Sequence, residues 1–418
     1  IWDPATGQCA STLQGHGNWV KIAWSPDGSR LASASNSTVV RIWDPATGQC
    51  ISTLKEHRSS VWSIAWSPDG SRLASALDDK TVKLWDPATG QCASTLQGHG
   101  KWVKIAWSPD GSRLASASNS TVVRIWDLAT GQCVSALEGH GKSVWSIAWS
   151  PDGSRLASAT RDSTVRIWDP ATGQCVSALQ TLEGYNDMVK LITWSPDGSR
   201  LVSASPDHNT VRLWDPATGQ CISTLKEHSS SVRSIAWSPD GSRLASASDD
   251  RTVKLWDPAT GQCASTLEGY GKSVKSIAWS PDGSRLASVS SGSIVRIWDP
   301  ATGECVSTLE TIKGYSGMVR MIIWSPDGSR LASASLYKTI RLWDPVTGQC
   351  ISTLEERSNS VTSIAWSTDG SRLASASWSD VVKIWDLATG QCASTLEEPS
   401  KAVTSIAWSP DGSRLASG

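Results

Sequence analysis

The chain has 418 residues, with 38 basic and 39 acidic side chains, a net charge of −1, and 25 Trp but no Phe. That balance argues against a globally basic nucleic-acid surface, and no apolar run reaches the ~18–20 residues that span a bilayer. The chain opens with Ile1 in mid-repeat rather than with Met, and is expected to be a fragment of a longer protein.

From the first residues onward the text repeats. A Trp precedes Asp3, Asp44, Asp86, Asp127, Asp169, Asp215, Asp257, Asp299, Asp344 and Asp386, a spacing of about 42 residues that marks propeller blades. Each repeat parses into four strands. In the sixth, Ser231–Trp237 alternates and predicts a first strand, and Ser238-Pro-Asp-Gly-Ser242 is a turn in which Pro presets φ and Gly accepts a positive one. Arg243–Ser248 is the second strand, Thr252–Trp256 the third and Gln262–Leu267 the fourth, with Asp257-Pro-Ala-Thr-Gly261 turning between the last two. No stretch keeps apolar residues at helical spacing for more than a turn.

The ends are in complementary phase. Ile1-Trp2-Asp3 lies inside a third strand, and Leu415-Ala-Ser-Gly418 closes a second. Residues 1–13 are therefore expected to complete the blade begun by 401–418, which removes open sheet edges. The expected fold class is all-β, a propeller of ten four-stranded blades in a single closed ring that makes 1–418 one domain. A seven-bladed ring with three extra blades is the alternative.

These residues identify the repeats as WD40 repeats, and the resemblance covers the whole chain. Their uniformity resembles the sensor propellers of fungal NACHT–WD40 proteins of the heterokaryon-incompatibility, NLR-like type. The resemblance implies a cytoplasmic, non-enzymatic recognition module or scaffold, with any nucleotide chemistry in an upstream domain. One departure stands out. The residue after Ile-Ala, usually Phe in the family, is Trp here.

Cysteines follow Gly-Gln or Gly-Glu in every repeat, from Cys9 to Cys392. Equivalent positions in neighbouring blades are too far apart for the ~4.4–6.8 Å between Cα atoms that a disulfide needs, so reduced, packed thiols of a cytosolic protein are expected. No phosphate loop or metal-ligand spacing occurs, and no cofactor or metal is expected.

Variation is confined to one side. Ser-Pro-Asp-Gly-Ser-Arg is unchanged in nine of ten copies, with Thr368 replacing Pro once; Asp-Pro-Ala-Thr-Gly departs only at Leu128, Val346 and Leu387. The links between blades and the second-to-third loops, on the opposite face, drift freely. Loops on a rigid scaffold are where binding residues gather. Four residues before the first-strand Trp the repeats hold Val20, Trp62, Val103, Trp145, Lys190, Arg233, Lys275, Arg320, Thr362 and Thr404. Four consecutive cations beside aromatics, with Tyr337 and Trp378 in nearby loops, suit a protein partner with an acidic or phosphorylated surface rather than nucleic acid. A passive scaffold and a carbohydrate or small-ligand binder are the alternatives.

Three repeats carry hydrolase-like residue types: His57, Ser75 and Asp79; His140, Ser158 and Asp162; His228, Ser246 and Asp250. Their recurrence is unlike an active site. The resemblance instead implies a structural hydrogen-bond network with the third-strand Trp85, Trp168 and Trp256. In other repeats this network is expected to be broken, because the His position becomes Tyr185, Tyr270, Tyr315, Arg357 or Pro399.

Overall fold

The computed structural model describes the chain except residues 5–7, 12, 14–19, 36–37, 56–58, 102, 161–163, 181–188, 190, 205–208, 292–293, 311–318, 336–338, 357–360, 378–380, 398–402, 404 and 418, and except the side chains of Trp62, Leu179, Gln180, Glu310, Arg320 and Glu397. It is a ring of ten blades, each a four-stranded antiparallel meander, with no helix among the described residues. Numbered by the repeats, blade 6 consists of Val232–Trp237, Leu244–Ser248, Val253–Trp256 and Cys263–Leu267, within one residue of the sequence expectation at each start. Blade 10 joins the ends: Ile406–Trp408 and Leu415–Ser417 are continued by Trp2–Asp3 and Gln8–Cys9 in one sheet.

The core is distributed. Ten apolar clusters fill the ten joints between neighbouring blades rather than one centre. Between blades 6 and 7, Val253, Leu255 and Leu267 pack against Val274, Ile277, Leu286 and Trp298. Between blades 10 and 1, Ile1 and Ala416 meet Leu31 and Trp43, which closes the circle. Second strands such as Leu244–Ser248 are buried along their whole length because both faces are covered. This explains Leu-Ala-Ser-Ala in place of an alternating pattern: small side chains let blades approach near the axis.

The unusual Trp has a role of its own. Its indole Nε1 crosses to the preceding blade and donates to the carbonyl just before that blade's own Trp. Trp66 reaches Ala23 O at 2.9 Å, Trp107 Ala65 O at 3.2 Å, Trp149 Ala106 O at 3.0 Å and Trp279 Ala236 O at 3.1 Å. Trp24 reaches Ala407 O at 3.1 Å across the closure of blades 10 and 1. Phe, with no donor, cannot make this bond.

The constant face interlocks as well. The glycine of a Ser-Pro-Asp-Gly turn lies against the proline of the preceding blade, as Gly241 does against Pro196, except that Gly412 meets Thr368. The glycine of each Asp-Pro-Ala-Thr-Gly turn covers an outer-strand serine, as Gly261 covers Ser223. Some turn arginines reach forward to the next blade: Arg113 Nη1 donates to Pro170 O at 2.6 Å and Arg330 Nη1 to Leu387 O at 2.9 Å, whereas Arg285 Nη1 turns to Asp299 Oδ2 of its own blade at 3.3 Å.

The thiols differ from expectation. Ten cysteines are free, but eight are exposed and only Cys92 and Cys263 are half-buried. Each opens the fourth strand at the rim, where no further blade covers it.

Candidate binding face

The drifting inner-strand position is a β-bulge. In blades 2, 4, 6, 7, 8 and 9 the register against the second strand slips by one residue, leaving Trp62, Trp145, Arg233, Lys275, Arg320 and Thr362 as the extra residue. The neighbours explain why this residue is free to drift. In blade 4, Val144 is buried on one side and Ser146 pairs with Ala159 on the other, while Trp145 is 37% exposed. A bulge re-aims one side chain without disturbing the ladder on either side.

Blades 1 and 3 contain no such slip: Lys21 pairs with Ala34 and Lys104 with Ala117. Their repeats are one residue shorter than the second, and the lost residue is the bulge itself. Counting back from the Trp therefore misaligned Val20 and Val103 with the variable series. Val103 is the counterpart of buried Val144, and Lys104 of Ser146. Lys104 Nζ lies 5.0 Å from the Trp145 ring centroid and donates to Trp145 O in the next blade, with its pKa lowered by burial.

Two of the four expected cations have described side chains, and they meet. Arg233 Nε donates to Asp249 Oδ2 at 2.7 Å, and Lys275 Nζ to Asp249 Oδ1 at 2.8 Å, so one loop carboxylate clasps the bulge residues of blades 6 and 7. The Arg233 bond, foremost, holds the Asp249 carboxyl below the usual range. The local charge is thus one net positive rather than two. Lys190, Tyr337 and Trp378 lie outside the described residues, as do the side chains of Trp62 and Arg320.

The hydrolase-like residues form interior struts. In blade 6, Ser246 Oγ accepts from Trp256 Nε1 at 2.8 Å and lies 2.7 Å from His228 Nε2, whose Nδ1 is 2.7 Å from Asp250 Oδ2. Burial, chiefly, keeps the His228 pKa low, so the neutral ring donates from Nδ1–H to the carboxylate and accepts the serine hydroxyl at Nε2. Ser246 has no solvent access. A nucleophile there could not reach a substrate. In blade 4, His140 Nε2 and Trp168 Nε1 each lie 2.7 Å from Ser158 Oγ. In blade 2, Trp85 Nε1 reaches Ser75 Oγ at 2.9 Å, and Asp79 Oδ1 accepts from Thr81 Oγ1 at 2.6 Å. His57 and Asp162 lie outside the described residues.

In blades 7 and 9, where the sequence suggested a break, the described residues keep the network. The Trp–Ser bond occurs in every blade, down to Trp2 Nε1 to Ser417 Oγ at 3.1 Å. In blade 7, Tyr270 takes the histidine's place: its hydroxyl accepts from Trp298 Nε1 at 2.7 Å and bonds Ser288 Oγ. In blade 9 the substitute is one residue earlier than the histidine position. Glu356 accepts from Ser375 Oγ, is held 3.6 Å from Lys383 Nζ and has its pKa raised by burial. Tyr185, Tyr315, Arg357 and Pro399 lie outside the described residues. His99 in blade 3 was missed because no Asp accompanies it. It lies 2.7 Å from Ser116 Oγ, and burial, above all, drops its pKa to about 4.

Among the described residues, no three His, Cys, Asp or Glu side chains gather as metal ligands, and no helix is long and apolar enough to cross a membrane. A closed propeller that presents varied side chains from otherwise uniform inner strands is a repeat scaffold. Known proteins agree at that level. The "WD domain, G-beta repeat" model matches residues 7–44, 48–86, 261–299, 303–344, 348–386 and 390–418, more than half of the chain, and the "WDR19 first beta-propeller" model matches 103–271. The chain therefore belongs to the WD40 repeat family, whose propellers are generic protein-interaction scaffolds. Among solved structures, the computationally designed Ika8 protein is similar, with a TM-score of 0.54 and 26% identity over 81% of this chain and 100% of that one. No curated protein matches the sequence.

Proposed function

We propose that this ring is a protein-recognition module whose partner docks at the mouth of the channel, on the bulge residues. The observation that carries this reading is chemical drift at one point. Between a buried valine and a ladder-paired serine, the bulge changes from Trp to Arg, Lys and Thr, while the flanking architecture stays put. In repeat order the series Trp62, Trp145, Lys190, Arg233, Lys275 and Arg320 combines aromatics with cations, the composition that concentrates binding energy at protein interfaces. With one carboxylate already between Arg233 and Lys275, an acidic or phosphorylated partner would displace or share Asp249.

In the fuller reading, the ring is the ligand-sensing part of an NLR-like, NACHT-associated protein and works in the cytoplasm, where ten unpaired thiols stay reduced. The test is affinity capture with the six residues of that series changed together to Ala, beside a control changed only at Val346 on the constant face. Partner recovery lost in the first and kept in the second supports the reading. Equal recovery from both rejects the series as the docking site and leaves a passive scaffold.

A further inference from the structure

Of the ten joints, the one between blades 5 and 6 lacks the indole bond across the channel side. Trp237 Nε1 is buried and has no partner among the described residues. Blade 5 differs at the acceptor residue. The residue ahead of each first-strand Trp turns its side chain into the joint with the next blade, where Ala236 packs beside Trp279 and Ala148 lies against the blade 4–5 core. Alanine there gives indole bonds of 2.9–3.2 Å. Ile323, the branched exception in blade 8, also packs into its joint, and its bond from Trp366, at 3.3 Å, is the longest of the nine. Blade 5 carries Thr193, equally branched, and the bond to Trp237 is gone.

The defect is local. The same two blades remain in contact through their turns, with Gly241 against Pro196, and through their outer strands, with Ser223 Oγ donating to Gly261 O at 3.3 Å. The next joint is bonded at both levels: Trp279 reaches Ala236 O, and Lys275 reaches Asp249 of blade 6.

We propose that the blade 5–6 joint is the opening point of the ring, hinged at the outer strands, where Ser223 meets Gly261, and parting at the innermost ones. Opening there separates the first strands Leu191–Trp194 and Val232–Trp237 while the outer contact of Ser223 with Gly261 stays engaged. The energetic ground is the missing bond together with a buried donor left without an acceptor, a combination that favours any state in which water reaches the indole. The inference stands apart from any ligand.

Hydrogen–deuterium exchange of the full chain tests it. Amides of 232–237 are expected to exchange faster than those of 274–279. Thr193→Ala lets the indole close on the carbonyl and slows exchange at 232–237 by about fivefold, the equilibrium worth of one ordinary hydrogen bond. Trp279→Phe, which removes an intact bond, speeds its joint by about the same factor, whereas Trp237→Phe, which removes only an orphan donor, does not. Equal exchange at the two joints in the unaltered chain overturns the proposal. So does a Thr193→Ala protein that exchanges as before, or a Trp237→Phe protein that exchanges faster.

Discussion

The two faces of the ring are made by the same ten repeats, yet one is almost constant and the other is not. On the constant face, turn glycines lie against the preceding blade and some turn arginines, such as Arg113 and Arg330, reach the following one, so a change in one repeat is felt in its neighbours. On the variable face the struts stay within a blade: Trp, Ser and a third polar partner of any suitable kind, whether His228, Tyr270 or Glu356. Uniformity of exposed turns therefore records packing between repeats. The bulge residue differs in kind: in blades 2, 4, 6, 7 and 9 it drifts between a constant valine and a constant serine, so packing between repeats does not set its identity.

The comparison can be broken most forcefully with glycines. Gly261 has a φ of +70°, and a Cβ added there would come 2.4 Å from Ser223 Cβ of the neighbouring blade. Gly261→Ala is expected to cost about 2–4 kcal/mol in denaturant unfolding, from backbone strain and overlap combined. Gly271, in the link between blades 6 and 7, has open space around its Cβ position. Gly271→Ala should change stability by less than about 0.5 kcal/mol. Equal losses at the two positions would show that the faces are constrained alike.

A second difference is titratable. Burial drops His99 from the ordinary 6.5 to about 4. The unfolded chain takes up the proton first, so the stability owed to the neutral ring is complete above pH 6.5 and is lost as pH falls toward 4. The loss is on the order of 3 kcal/mol for opening of blade 3. The constant face responds only at lower pH. The carboxyls of Asp197, Asp327 and Asp369, held down first by their turn serines, titrate at about 2. Exchange measured between pH 7 and pH 4 should loosen blade 3 while the Ser-Pro-Asp-Gly turns stay protected.

Much of this architecture was legible from the repeats. Strand order, blade count and the sharing of blade 10 between the two ends follow from the phase of the Trp-Asp pairs and from turn chemistry, which act within a repeat. What escaped acts between repeats. Nothing local to Trp66 says that its indole reaches Ala23, 43 residues back. A deletion shifts counting by one, so Val103 was matched with Trp145 although it packs as Val144 does. Glu356 could not be recognised as a substitute for histidine, because it enters from the neighbouring position with a lysine to balance it.

The smallest effects sharpen the comparison further. In blade 3, Trp126 Nε1 donates to Ser116 Oγ at 2.7 Å, so the serine hydroxyl turns to His99 Nε2 and leaves Nδ1–H as the donor. That Nδ1 has no partner among the described residues, and Ser120 stands where blade 6 has Asp250. Ser120→Asp offers the missing carboxylate and should raise stability by about 1 kcal/mol near pH 7. It should also lift the histidine's pKa, so that the loss between pH 6.5 and pH 4 shrinks. Arg233→Ala removes a half-exposed ion pair of the clasp and should cost no more than about 0.5 kcal/mol. A gain at the strut with near-neutrality at the bulge would place stability in the blade interior and leave the mouth free to change with its partner. A large loss at Arg233 would make that side chain part of the scaffold.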